Sequence, residues 1–321
     1  MTTHTHKPVL LDEALAALNV AGDDRRDGWY LDATFGRGGH SAAILSQLGP
    51  HGHLIAMDRD PAAIASGRER FGGEPRLTLV YSAFGNLSNA VRHVIGNLDG
   101  GTPSRFAGVL FDLGVSSPQL DDASRGFSFM QDGPLDMRMD NLAGVTAAEW
   151  LAGAPEREIA RVIHEYGEER FGNRIARAIV EARRDTPITT TAQLATIVAA
   201  AVRTREPGKH PATRTFQAIR MQINNELPQI DQALQQSLEV LAPAGRLCAI
   251  SFHSLEDRRV KQFMQRQSQE DPVYAGLPEV PAHALPKLKR IGKAIHASAA
   301  EVARNPRSRS AILRVAERVV A

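Results

Sequence analysis

Asp32-Ala33-Thr34-Phe35-Gly36-Arg37-Gly38-Gly39-His40 is a glycine-rich turn between two apolar segments of opposite character. Residues 29–33 read as a short buried strand, and residues 41–48 as a helix. Glycines let the backbone come close to a ligand. The N–H groups opening a helix favour a carboxylate or a phosphate there. Working outward, residues 53–58 form a second apolar run that also ends in an acid, Asp58. Asp60-Pro61 then starts a helix, Asp as cap and Pro in the first turn. Residues 76–81 and 106–112 supply a third and a fourth strand, the latter ending in Asp112. Residues 246–252 and 311–315 supply a fifth and a last. Apolar strands separated by helices predict an α/β fold with a parallel sheet covered on both faces.

The middle of the chain breaks this pattern. Residues 116–140 are rich in Gly, Pro, Asp and Arg and have no clear period, which marks a functional or a disordered loop. Helical spacing follows: Ile159, Val162, Ile163 and Tyr166, then Leu194, Ile197, Val198 and Ala201. Thr190 and Gln193 suit a capping box for the second of these. A small helical domain over 121–210 is therefore expected inside a domain made of 1–120 and 211–321.

The chain has 321 residues, 43% hydrophobic and 23% charged, which excludes a disordered or fibrous protein. Cys248 is its one cysteine, so no intrachain disulfide is possible, and a reducing cytoplasm is expected. No apolar run reaches the ~18 residues of a membrane span, and no signal pattern opens the chain. Net charge is only +2, but the basic residues cluster. Lys287, Lys289, Arg290 and Lys293 form one group; Arg304, Arg307, Arg309 and Arg314 a second; Arg203, Arg205, Lys209, Arg214 and Arg220 a third. Such groups either neutralise phosphates or are an ordinary solvated face.

Ligands of a doubly wound sheet sit outside the carboxyl ends of its strands, where Asp32, Asp58 and Asp112 fall. Asp58 lies where a second-strand acid accepts two ribose hydroxyls. The dinucleotide fingerprint wants a third glycine where this chain has Ser41. Two ligand classes stay open on these residues, a nicotinamide dinucleotide and S-adenosyl-L-methionine. Ser116-Ser117-Pro118-Gln119 after Asp112 favours the second, because methyltransferases acting on amines place a polar residue and a proline there.

At these residues the sequence resembles the MraW/RsmH family of bacterial 16S ribosomal RNA cytosine-N4 methyltransferases. The likeness extends to Lys7-Pro8-Val9-Leu10-Leu11-Asp12-Glu13 and to DLGVSSPQLDDASRGFSFMQDGPLDMR from Asp112 to Arg138. It continues through Tyr166-Gly167-Glu168-Glu169-Arg170 and His210-Pro211-Ala212-Thr213-Arg214-Thr215-Phe216-Gln217. It closes with Ser251-Phe252-His253-Ser254-Leu255-Glu256-Asp257-Arg258 and Asn305-Pro306-Arg307-Ser308-Arg309-Ser310-Ala311. The resemblance implies a Rossmann-like class I S-adenosylmethionine-dependent methyltransferase sheet with a helical insertion that engages RNA. It implies methylation of the exocyclic amine of one cytidine in the decoding centre, near the P site, of the small ribosomal subunit. Its cofactor contacts map onto Gly38, Gly39 and His40 at the methionine end, Asp58 at the ribose, Phe84 near the adenine, and Asp112 and Gln119 after the fourth strand. Methyltransferases more often carry a first glycine where this chain has Thr34, and the resemblance to this family implies that departure.

The reaction moves a sulfonium methyl to an amine, so the protein must orient the amine and accept its proton. Asp112 is the first candidate acceptor and His253 the second; the ordinary reading of His253 is a helix-start residue. A target base must be unstacked to be reached. Arg125, Phe127, Phe129 and Arg138 are candidates to hold it, against a plain packing role. His210, Arg214, Arg307 and Arg309 are candidate phosphate contacts. His4 and His6 have no acid or cysteine beside them, and no metal is expected. Two alternatives accompany this reading: a nicotinamide-dependent oxidoreductase, and a non-catalytic RNA-binding factor of ribosome assembly.

Overall fold

The computed structural model describes residues 7–22, 24–96, 105–202, 208, 210–274 and 279–319. His4, His6, Arg203, Arg205 and Lys209 lie outside these described residues. The chain divides into two compact units, one comprising residues up to Gly114 and from Leu227 onward, the other Val115–Glu226.

The first unit holds the sheet. Its strands are β1 (Trp29–Asp32), β2 (His53–Asp58), β3 (Leu77–Tyr81), β4 (Phe106–Asp112), β5 (Leu241–Ser251), β6 (Leu288–Arg290), β7 (Ile295–His296) and β8 (Ile312–Arg318). Their order is β3-β2-β1-β4-β5-β8-β6, with β7 also on β8. β1 to β5 pair in parallel, and β8 runs antiparallel to β5, β6 and β7. This is a doubly wound, Rossmann-like sheet whose order reverses between β1 and β4, where such sheets bind ligands. Leu54, Ile55, Ala56 and Met57 of β2 are all fully buried, so both faces of the strand are covered. The helix Pro61–Phe71 starts as expected, with the Asp60 carboxylate accepting from Ala62 N–H at 3.0 Å.

Three details differ from the sequence expectation. β5 begins at Leu241 rather than at 246, because Leu241 pairs with Phe106 before the register shifts ahead of Gly108. β6 and β7 are short and polar, and offer no apolar run to read. The helix Leu11–Leu18 precedes the sheet and buries Ala14 and Leu18.

The second unit is helical: Ala147–Gly153, Glu156–Gly167, Gly172–Asp185, Thr191–Ala201 and Thr213–Ile223. Ile159, Ile163, Ile175, Ile179, Leu194, Val198 and Ile219 fill its core. The Thr190–Gln193 capping box is present. The unit is wider than the expected 121–210. Phe216 and Ile219 belong to its core, and Asn224 closes it by accepting from Met139 N–H and donating to Met137 C=O, both at 2.7 Å. The segment 116–140 is pinned rather than loose. It contains the helix Ser117–Asp121, and it buries Leu135 and Met137 completely.

Candidate functional site

The glycine turn is held from within. Asp32, fully buried at the end of β1, accepts from Ser41 Oγ at 2.6 Å and from Thr34 N–H at 3.1 Å. Burial raises its carboxyl above the usual range, and the Ser41 bond opposes that rise. Gly38 has φ +68°, and a Cβ there would lie 2.6 Å from the Phe35 ring; one on Gly39 would lie 2.3 Å from the Pro8 ring. The need for glycine at both positions therefore comes from the loop's own packing.

Asp58 ends β2. Its Oδ2 accepts from Gly36 N–H at 2.7 Å and its Oδ1 from Asp60 N–H at 2.8 Å. Burial nevertheless pushes its carboxyl up to about 6, and the neighbouring Asp60 and Asp32 add to the rise. Phe84 follows β3 and is half-buried, its ring edge-on to Phe111 of β4 at 6.3 Å.

Asp112 ends β4. Its backbone N–H donates to Thr34 Oγ1 at 2.6 Å, a bridge from β4 to the turn after β1. Oδ2 lies 3.5 Å from His40 Nδ1, and Oδ1 is buried with no hydrogen-bond partner. Burial pushes this carboxyl up to about 6; His40 pulls it down, and Asp32 and Glu256 raise it further. His40 itself is buried, with Nε2 3.2 Å from the Val9 carbonyl. A carbonyl only accepts, so Nε2 carries the proton and Nδ1 faces Asp112. The ring thus positions the carboxyl, and what His40 offers a ligand is its backbone.

Three residues hold this site together in ways that the sequence does not announce. Thr34 is legible only as a missing glycine, Ser41 only as a missing third glycine, and the Val9 carbonyl has no side-chain signature at all.

Other expected residues have structural duties. His253 is the N-cap of the helix Ser254–Gln267, with Glu256 accepting from the backbone N–H groups of Phe252 and His253 at 2.8 and 3.1 Å. Gln119 is buried in the second unit, and its Oε1 accepts from Ser116 N–H at 2.9 Å. Arg125 donates to the carbonyls of Arg138 and Met139, and Arg138 grips Asp136 through two bonds of 2.8 Å. Phe127 is 6% exposed, which corrects its expected role: it packs, and has no face for a base. Phe129 is partly buried, with its ring 4.6 Å from that of His210 and 4.8 Å from that of Phe216. His210 Nδ1 accepts from Ala212 N–H, and Arg214 donates to Glu168 C=O at 2.9 Å. Arg307 and Arg309 are exposed on the turn Pro306–Ser310 of the first unit.

A family model described as the MraW methylase family matches residues 3–319. The chain belongs to the MraW methylase family. It is 56% identical over 316 residues to the ribosomal RNA small subunit methyltransferase H of Thiobacillus denitrificans (strain ATCC 25259 / T1), covering 98% of this chain and 97% of that one. Solved structures resemble it more distantly. A putative rRNA-methylase from Clostridium thermocellum has a TM-score of 0.44 at 14% identity, covering 98% of this chain and 100% of that one. An rRNA methylase from Streptococcus thermophilus has 0.39 at 12%, covering 97% and 94%. At such distances these likenesses carry no weight for the site.

Membership of the MraW methylase family ends the oxidoreductase alternative, and S-adenosyl-L-methionine is the cofactor of this class I methyltransferase sheet. The residues present fit it. Oδ1 of Asp112 is a buried acceptor without a donor, suited to an ammonium group. Asp58 is a second acceptor, at the end of β2, one strand beyond β1. Among the described residues no helix is long and apolar enough to cross a membrane, and no group of His, Cys, Asp and Glu could hold a metal ion.

Proposed function

We propose that this chain methylates small-subunit 16S ribosomal RNA, at the exocyclic N4 of one cytidine in the decoding centre. The observation that carries the chemistry is the Asp112 carboxyl, part-buried at the end of β4 with Oδ1 shielded and unpartnered. S-adenosyl-L-methionine supplies an electrophilic methyl on a sulfonium. Everything else falls to the chain. Gly38, Gly39 and the His40 backbone hold the methionine end, Asp58 the ribose hydroxyls and Phe84 the adenine. Asp112 orients the amine and takes its hydrogen bond or proton, and a carboxyl raised to about 6 is a better acceptor than an ordinary one. His253 is the weaker candidate acceptor, since it already caps a helix. Phe129 and His210 of the helical unit form a stacking pair for RNA, and Arg214 of that unit and Arg307 and Arg309 of the sheet unit are phosphate contacts. A ribosomal substrate carries a cytoplasmic location with it, in keeping with the reduced, buried Cys248.

The test is transfer of a labelled methyl from S-adenosyl-L-methionine to small subunits lacking the modification, and to naked 16S RNA, followed by digestion to nucleosides. Label on N4 of a single cytidine is expected. Label elsewhere rejects the position. No transfer to either substrate leaves a non-catalytic assembly factor as the better reading.

A further inference from the structure

The sheet edge opposite β3 borders a cavity of about 740 Å³ that the methyl-transfer site does not use. β6, the turn after it, β8 and the helix Ser254–Gln267 line it, all within the first unit. Its apolar lining includes Met264, Leu288, Ile291 and Val315. Its cations are Lys261 from the helix, Lys289 and Arg290 from β6, and Lys293 from the turn. All four are exposed, and among the described residues none has an ion-pair partner. Two acids on the lining elements are taken. Asp257 is held by Arg314 at 2.7 and 2.9 Å, and Glu317, opposite Lys289 in the ladder, by Arg246 at 2.9 Å.

The cavity is displaced from Asp112. Three strand spacings separate β4 from β6, roughly 14 Å at ~4.8 Å each. Arg290 aligns through Ala316 and Leu247 with Val109, three residues or roughly 10 Å short of Asp112 along the strand.

We infer that this cavity is a second RNA contact, holding the sugar-phosphate backbone of a single-stranded segment away from the reacting base; it rests on the RNA reading above. Four uncompensated cations exceed what one small dianion neutralises. Being exposed, each is screened and weak, which suits a polymer that gathers several such contacts by counterion release. Lysines on an edge strand also discourage strand pairing. Lys261, however, sits on the helix rather than the edge, and faces the same cavity.

The experiment compares wild type with the triple variant K289Q/R290Q/K293Q and, separately, with Lys261→Gln. Anisotropy of a labelled single-stranded fragment of small-subunit RNA is followed from 50 to 200 mM salt, beside methyl transfer to small subunits. The triple variant is expected to raise Kd at least tenfold at 0.1 M salt and to flatten the log–log salt slope by about 2, at ~0.7 per lost contact. Lys261→Gln is expected to flatten it by about 0.7. KM should rise with kcat, cofactor affinity and melting temperature unchanged. Unchanged slopes in both variants, with a wild type that binds and methylates RNA, reject this site alone. A triple variant that aggregates, beside a Lys261→Gln protein with an unchanged slope, rejects it too and leaves edge protection as the lysines' role. A wild type that neither binds nor methylates RNA rejects the RNA reading, and this site with it.

Discussion

Asp112 is asked to stay buried and to act as an acceptor, and the two demands conflict until a ligand arrives. Its carboxyl and that of Asp58 stand near 6, raised by burial. Each raised carboxyl adds stability that is fully present below the ordinary carboxylate range and is lost as pH rises through about 6; ionisation there costs roughly 3 kcal/mol apiece. Cofactor donors to the two groups offset that cost. Binding should therefore release protons near pH 6, and cofactor affinity should weaken as pH falls from 7 to 5. Calorimetry in buffers of different ionisation enthalpy measures both; an affinity flat over that range would refute the assignment. Asp112→Asn should lower kcat at least 100-fold without lowering the melting temperature. Oδ1 has no partner to lose, and an amide keeps the carboxyl's shape. Near-wild-type turnover with normal cofactor binding would remove Asp112 from the chemistry. At this scale the sequence revealed which acids end strands, because chain direction and apolar runs are local. It hid Thr34, whose bond to Asp112 spans 78 positions. It also hid the glycines' actual constraint, which depends on Phe35 and Pro8 folding back onto them.

Elements were legible where burial is two-sided. β2 and β4 were found at their full extent because every interior residue is apolar. β6 and β7 were not, because β6 is an edge strand that carries Lys289 and Arg290, and β7 is only Ile295 and His296. The inserted unit was recognised by its helical periods, but its end was misplaced. The helix Thr213–Ile223 read as a return to the sheet, whereas it packs on the helices Glu156–Gly167 and Ala147–Gly153. Asn224 is what fixes that end. It is 1% exposed and serves three backbone groups: Met139 N–H, Met137 C=O and Arg220 C=O. Asn224→Ala leaves buried polar groups unsatisfied, at ~1–3 kcal/mol each. A loss of about 2–4 kcal/mol is expected, read from urea unfolding followed by the fluorescence of Trp150, which packs against this unit's core. A loss below about 0.5 kcal/mol would mean that water takes over the bonds.

For the whole molecule, the two cores have separate membership. Among the described residues, one cluster buries residues between Leu135 and Ile219, and the other buries residues of the sheet unit, from Val9 to Ala56 and again from Leu110 and Cys248 onward. Cooperative unfolding follows shared cores, so two thermal transitions are expected rather than one. The candidate cofactor contacts at Gly38, Gly39, Asp58, Phe84 and Asp112 all fall in the sheet unit. Saturating S-adenosyl-L-methionine should therefore raise the transition of that unit alone, by about 2.7 kcal/mol at a hundredfold excess over Kd. Asn224→Ala should lower only the other. The two perturbations are chemically independent, so differential scanning calorimetry of the four combinations separates the cases. Two transitions moved one at a time fit separate cores. A single transition moved by both would mean that the linkage at Gly114–Val115 and Glu226–Leu227 transmits folding between the units as strongly as a shared core does.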